Sequence, residues 1–145
     1  MKTTYYLNDK DLPKIPVLHD CIVKEIKQEK DCLTFIFEDD ITYHDGIKNI
    51  NPDAKTVIIR YHFITDISDV RLFLQDKPDR ILHKEVVYRE EDIENNKNIL
   101  TELTSHSLEY LYHNIGYCSI IVKLWSLRSI VFDMAVDYVE YEWVD

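Results

Sequence analysis

Ser129-Ile130-Val131-Phe132-Asp133-Met134-Ala135-Val136-Asp137-Tyr138-Val139-Glu140-Tyr141-Glu142-Trp143-Val144 reads as one very long extended run. Ile130, Phe132, Met134, Val136 and Tyr138 recur at every second position, so they share one face of a strand. Beyond Tyr138 the apolar positions become Val139, Tyr141 and Trp143, one residue out of phase. A slip of one residue sends every following side chain to the opposite face. An extra residue in a β-bulge near Tyr138 or Val139 returns the apolar side to the core. A straight strand of this length would span ~50 Å at about 3.3 Å per residue, too long for a small domain. A bent strand is expected on both grounds.

The same period-two pattern extends backward through the chain. Cys118 to Trp125 reads as an apolar strand, joined to the last run by the tight link Ser126-Leu127-Arg128. Val70, Leu72 and Leu74 alternate with Arg71, Phe73 and Gln75, and Pro78 ends that run. Val57, Ile59, Tyr61 and Phe63 alternate with Thr56, Ile58, Arg60 and His62. Leu33, Phe35 and Phe37 oppose Thr34, Ile36 and Glu38, and the charged link Glu29-Lys30-Asp31 makes a hairpin with Cys21 to Gln28. Ile81 to Tyr88 is strand-like again. Asp45-Gly46 is a strong turn signal, Asn49 to Lys55 reads as a loop, and the polar stretch Arg89 to Lys97 as a loop or weak helix.

Ser105 to Ile115 allows two readings. Leu108, Leu111, Tyr112 and Ile115 fall at helical spacing, with Ser105 as a cap and Gly116 at C′. The alternative pairs Leu108 to Tyr112 with the following strand through a turn at His113 to Gly116, and the tyrosine-rich composition favours it. The expected architecture is all-β, an antiparallel sandwich or partly open barrel closed by a long, bent C-terminal strand. Residues 1–145 are expected to form a single domain.

Composition limits the function. With 145 residues, 46% of them hydrophobic, the chain can bury roughly 70% of its unfolded surface without staples. Two glycines, Gly46 and Gly116, cannot build a glycine-rich phosphate loop. Cys21, Cys32 and Cys118 are too few and too scattered for a disulfide framework or a metal knuckle, and Cys21 and Cys118, beside apolar residues, read as buried thiols. The N-terminus carries no signal-peptide core, and no apolar run approaches the roughly 20 residues that cross a bilayer. The cytoplasm is the expected compartment. A net charge of −10 disfavours nucleic acid and anionic membranes as partners.

No residue pattern specifies catalysis, a metal or a cofactor. His19-Asp20 and His44-Asp45 lack the spacing of a strand-borne metal site. Ser105-His106-Ser107 places serine and histidine side by side, which does not make them face each other. Cys118 enters an apolar run, where a thiolate is disfavoured. The more informative feature is the outward side of the last strand. Asp133, Asp137, Glu140 and Glu142 would form an acidic stripe there, with Tyr141 and Trp143 as aromatic anchors for a basic protein partner. An ordinary solvated face is the plainer reading of the same residues.

Three segments carry a resemblance. Leu18-His19-Asp20-Cys21-Ile22-Val23-Lys24-Glu25-Ile26 leading into Leu33-Thr34-Phe35-Ile36-Phe37, the segment Leu108 to Tyr117, and Val139-Glu140-Tyr141-Glu142-Trp143 resemble the first hairpin, the later turn-and-strand element and the closing strand of a loose group of small uncharacterised bacterial proteins. Some of these are immunity proteins of polymorphic toxin systems. The resemblance implies a binding protein that inhibits a cognate toxin, and it transfers no functional residue. The alternative expectation is a small-ligand binder or enzyme with a pocket inside the barrel, lined by Tyr61, Tyr110 and Tyr112. A third is an oligomerisation module that pairs subunits through the free edge of the last strand.

Overall fold

The computed structural model describes residues 1–76 and 87–145. Within them the order of elements is β1 (Lys2–Tyr6), β2 (Ile22–Gln28), β3 (Cys32–Phe37), α1 (Asp45–Ile50), β4 (Thr56–Phe63), a 3₁₀ turn (Ile67–Asp69), β5 (Val70–Gln75), β6 (Tyr88–Glu91), α2 (Ile99–Leu103), β7 (Leu108–Gly116), β8 (Ser119–Trp125) and β9 (Ser129–Val144). The strands form one antiparallel sheet that curls into a ring, so the fold is all-β, a sandwich or partial barrel. No helix among the described residues is long and apolar enough to cross a membrane.

β9 organises the sheet. Its first half, Ser129 to Ala135, pairs with β8 on one side and, from Ile130 to Met134, with β5 on the other. Its second half pairs with β4 and β1. The ladder with β4 steps from His62↔Tyr138 to Phe63↔Val136, leaving Asp137 as the additional residue. Asp137 directs its carbonyl to the N–H of Leu7 at 2.9 Å. Ile130, Phe132, Met134 and Val136 are buried before this point, and Val139, Tyr141 and Trp143 after it. The phase change legible in the sequence is thus the bulge that passes one strand from one wall of the ring to the other.

From the second half of β9 the ring runs through β4, β3, β2, β7 and β8 back to the first half. Its weakest joint is between β2 and β7, where only Ile22↔Glu109 and Val23↔Leu108 pair. The interior is filled by side chains. Phe35 meets Tyr61 and Phe132 edge to face at 5.0 and 5.5 Å between ring centres, a geometry that adds to the apolar burial. β5 and β6 extend the sheet beside the first half of β9, and β1 lies beside the second. Among the described residues β9 is thus paired on both sides and is not the free edge the sequence suggests.

Several local expectations are corrected. Asp45-Gly46 opens α1 rather than a hairpin turn, and α1 buries Ile47 in the core. Ser105 to Ile115 contributes a strand and not a helix, but the turn lies one step later, at Tyr117-Cys118, because β7 pairs with β8 through to Gly116↔Ser119. Cys118 adopts φ 49°, a left-handed conformation unusual for a residue with a Cβ. Its backbone is held by Leu7 O at 2.8 Å and by Val136 N–H at 3.1 Å, which offsets the strain. It is half-buried in a turn, not a buried strand residue. The polar run from Arg89 begins as the edge strand β6. Of Ile81 to Tyr88, residues 81–86 lie outside the described residues, as does Pro78.

Candidate protein-binding face

The four carboxylates of β9 all point outward, but the bulge divides them between two walls. Asp133 lies on the outer face of the first half, opposite Arg71 of β5 and Ile121 of β8. Asp137 occupies the bulge. Glu140 and Glu142 stand on the second half, and Arg60 of β4 lies between them, with Nη1 at 3.2 Å from both Glu140 Oε1 and Glu142 Oε2. The Lys2 ammonium is 3.9 Å from Glu140 as well. The side chains of Arg60, Glu140 and Glu142 are 22%, 18% and 27% exposed, so this group is a partly shielded ionic cross-link. The carboxylates on either side hold the Arg60 guanidinium charge in place against the cost of its desolvation. The expected contiguous acidic stripe does not form.

The aromatic anchors also fail, for the reason that makes the strand fold. Tyr141 and Trp143 are 1% and 4% exposed. The bulge turns them inward, where Tyr141 packs edge to face on Tyr5 and its hydroxyl donates to Pro16 O at 2.6 Å. The three tyrosines expected to line one pocket do not share a face. Tyr61 and Tyr110 are fully buried in the filled interior, whereas Tyr112 is on the outside of the sheet. The bulge between Tyr110 and Tyr112 in β7 separates them. Burial raises the phenol pKa of both Tyr61 and Tyr110 far above the ordinary tyrosine range, so neither is a ready acid or base.

The other sequence candidates are structural. His19 hydrogen-bonds the carbonyl of Leu111 at 2.7 Å through Nδ1, and its Nε2 is 3.3 Å from Asp20. His44 precedes α1 without a side-chain cap. Among the described residues no group of three or more His, Cys, Asp or Glu side chains converges on one point. Cys21 is buried, and desolvation pushes its thiol up to about 12.

What the sequence reading overlooked is an apolar face on the outside of the first wall. Cross-strand pairing aligns Glu90, Phe73, Val131, Lys123 and Tyr112 in one row across β6, β5, β9, β8 and β7. Arg71, Asp133, Ile121 and Asn114 form the next row. Phe73, Val131, Ile121, Tyr112 and Tyr88 surround a shallow depression of about 330 Å³. Ile121, Tyr112 and Tyr88 remain 39%, 44% and 38% exposed, a cluster rather than a scatter of surface hydrophobics.

Charged groups organise the margin. Arg71 grips Glu90 with two hydrogen bonds, at 3.0 and 3.1 Å, and its guanidinium carbon is 5.0 Å from the centre of the Phe73 ring. Lys123 lies 5.7 Å from the centre of the Tyr112 ring. Glu91, Asp92 and Glu94 continue from Glu90 along the β6 side. A signal for this face was present in the sequence. Phe73, Val131, Ile121 and Tyr112 are apolar residues on the side of their strands that alternation assigns to water.

An all-β ring with a filled interior and an aromatic outer wall defines the class. Comparison with protein families, with curated proteins and with solved structures finds no match.

Proposed function

We propose that this chain acts by binding a basic protein through the outer wall formed by β6, β5, β9, β8 and β7. The observation that carries the reading is the clustering of Phe73, Tyr88, Tyr112, Ile121 and Val131 on one solvent-facing surface. Aromatic and branched side chains with polar margins are the composition of protein-binding hot spots. Charge selects the partner. Two copies each carrying −10 repel one another, whereas a basic surface is drawn toward Asp133, Asp92 and Glu94, the carboxylates beside this wall that stand apart from the Arg71–Glu90 and Arg89–Glu91 pairs. In the form implied by the resemblance, the partner is a cognate toxin and this chain its immunity-type inhibitor. The cytoplasm as compartment is supported by three free cysteines.

The test places a photo-crosslinking phenylalanine analogue at Tyr112 and, separately, at Tyr6 on the opposite wall, which is 57% exposed. Cross-linked proteins are identified, purified and titrated against the unmodified chain. The expected result is a basic protein captured from Tyr112 but not from Tyr6, whose affinity falls at least tenfold, about 1.4 kcal/mol, in Ile121→Lys. That substitution should change stability by no more than about 0.5 kcal/mol, because the position is exposed. Capture of an acidic protein or of a second copy overturns the charge argument. Capture from Tyr6 alone moves the contact to the other wall, and capture from neither position removes the binding reading.

A further inference from the structure

The weak joint between β2 and β7 is continued by the segment that crosses from β1 to β2. Asp20 N–H donates to Tyr110 O at 2.8 Å and Tyr110 N–H to Cys21 O at 2.9 Å. His19 then meets Leu111 O, and Ile15 O lies 3.0 Å from His113 Nε2. The crossing therefore runs alongside β7 and inserts Leu7, Ile15, Leu18 and Cys21 into the core. Two of its carbonyls are held by side chains rooted in the ring, Pro16 O by Tyr141 and Ile15 O by His113.

The hydrogen bonds of His113 dictate its tautomer. A carbonyl can only accept, so Nε2 carries the proton that faces Ile15. In the neutral ring Nδ1 is then an acceptor, and the hydroxyl of Tyr110, 2.5 Å away, donates to it. Tyr110 is fully buried. Beside it the hydroxyl of Tyr61 has no hydrogen-bond partner among the described residues. His113 itself is only half-buried, so its ring can reach water.

We propose that residues 13–19 are an acid-releasable strap over the thinnest seam of the ring, with His113 as its latch. A second proton must enter at Nδ1, where the Tyr110 hydroxyl already points its hydrogen. The groups that face the ring are the Tyr110 phenol on its own strand and the Ile15 carbonyl on the strap. Behind Tyr110 stand the Tyr61 phenol from β4 and the Tyr141 phenol from β9. Across the ladder on β8 stands Val122. No carboxylate among the described residues lies within ion-pair distance of His113, so an imidazolium there would be desolvated and unpaired. Burial accordingly holds its pKa below the ordinary histidine value.

A depressed folded-state pKa means that the neutral ring contributes its full stabilisation above the unfolded value of about 6.5, and that this is lost as pH falls through the folded value. Acid therefore turns the ring out to water. Ile15 O loses its donor, and among the described residues Tyr141 is left as the one side chain of the ring that holds a strap carbonyl, beside the long 3.9 Å contact of Cys21 Sγ with His19 O.

Hydrogen exchange followed by mass spectrometry at about pH 7.5 and about pH 4.5, with steps between them and corrected for intrinsic rates, tests the latch, since a depressed pKa lies below the ordinary histidine value of about 6.5. Peptides covering residues 7–21 should lose at least tenfold in protection at the lower pH while residues 56–63 keep theirs. The midpoint should coincide with the titration of the His113 imidazole followed by NMR in the unmodified protein. His113→Gln, which cannot take up a proton, should abolish the pH dependence. Tyr141→Phe should loosen the strap equally at both values. Three results overturn the proposal: protection over residues 7–21 that ignores pH, because Tyr110 swings its hydrogen toward Tyr61 and accommodates the charge; a slope that persists in His113→Gln; or simultaneous loss of protection throughout the chain.

Discussion

The two halves of β9 are built from the same alternation and do different work on their outer faces. Before the bulge the outward neighbours are Val131, Phe73, Ile121 and Tyr112, apolar groups with charges of both signs at the margin. After it the outward neighbours are Glu140 and Glu142, cross-linked by Arg60. Carboxylates on a strand suggest a surface waiting for a partner, yet the pair after the bulge already has one. Conversely, apolar residues in water-facing positions suggest patterning noise, yet five strands gather them in one place. Whether an outward side chain is available depends on what the adjacent strand presents to it.

The comparison can be broken just past the bulge. Exchanging neighbours there, as Glu140→Tyr with Tyr141→Glu and Glu142→Trp with Trp143→Glu, keeps the composition but sends the two large aromatics to water and two carboxylates to the core. The loss of apolar burial alone, about 1.5–3 kcal/mol for each large side chain, approaches the whole stability of a domain. The variant should show no cooperative unfolding transition by circular dichroism. A variant lacking Asp137 should fold, because the deletion removes the additional residue and leaves Val136, Val139, Tyr141 and Trp143 inward in the same register with β4. An exchanged variant that melts cooperatively near the parent temperature would mean that the second half does not depend on which of its faces is apolar.

A smaller effect is expected at Trp143, which distinguishes a core residue from a partner anchor. Trp143→Ala should destabilise by about 3–5 kcal/mol in urea titration, as truncation of a buried aromatic does. A change below 1 kcal/mol, roughly the scale of surface substitutions, would return Trp143 to the surface.

Smaller again is the effect of removing the cation between the two glutamates. Arg60→Met should cost about 1–3 kcal/mol, since it leaves two partly shielded carboxylates side by side. Adding Glu140→Gln and Glu142→Gln should recover most of that loss in a denaturation cycle. If the triple variant is no better than Arg60→Met, the arginine acts through its packing and not its charge.

Legibility followed the range of the interaction involved. Alternation in Val57 to Phe63 and Val70 to Leu74 placed the inward residues correctly because burial on one face of a strand is a local, period-two property. The same rule located the bulge to within a residue or two. It did not give Arg60, because its partners lie 80 and 82 residues away in the chain. α1 was misread since Asp45-Gly46 suits a turn locally, and only the burial of Ile47 favours continuing as a helix. Of β6 the alternation reaches Tyr88 alone, because Arg89-Glu90-Glu91 has poor strand propensity and pairs as an edge beside β5. The turn at Cys118 was hidden because its left-handed backbone is tolerated through hydrogen bonds to β9 and to Leu7.

By itself the order of residues determined that this protein is built from strands, which side of most of them is greasy, and that its last strand must change phase to keep that side covered. Those properties depend on neighbours two positions away. Only the tertiary structure decided that Glu140 and Glu142 are occupied, that Tyr141 and Trp143 are interior, and that Phe73, Tyr112, Ile121 and Val131 share a wall. The reason is that lateral pairing in a sheet joins residues by register and not by sequence distance, so what stands beside a side chain is settled when the ring closes.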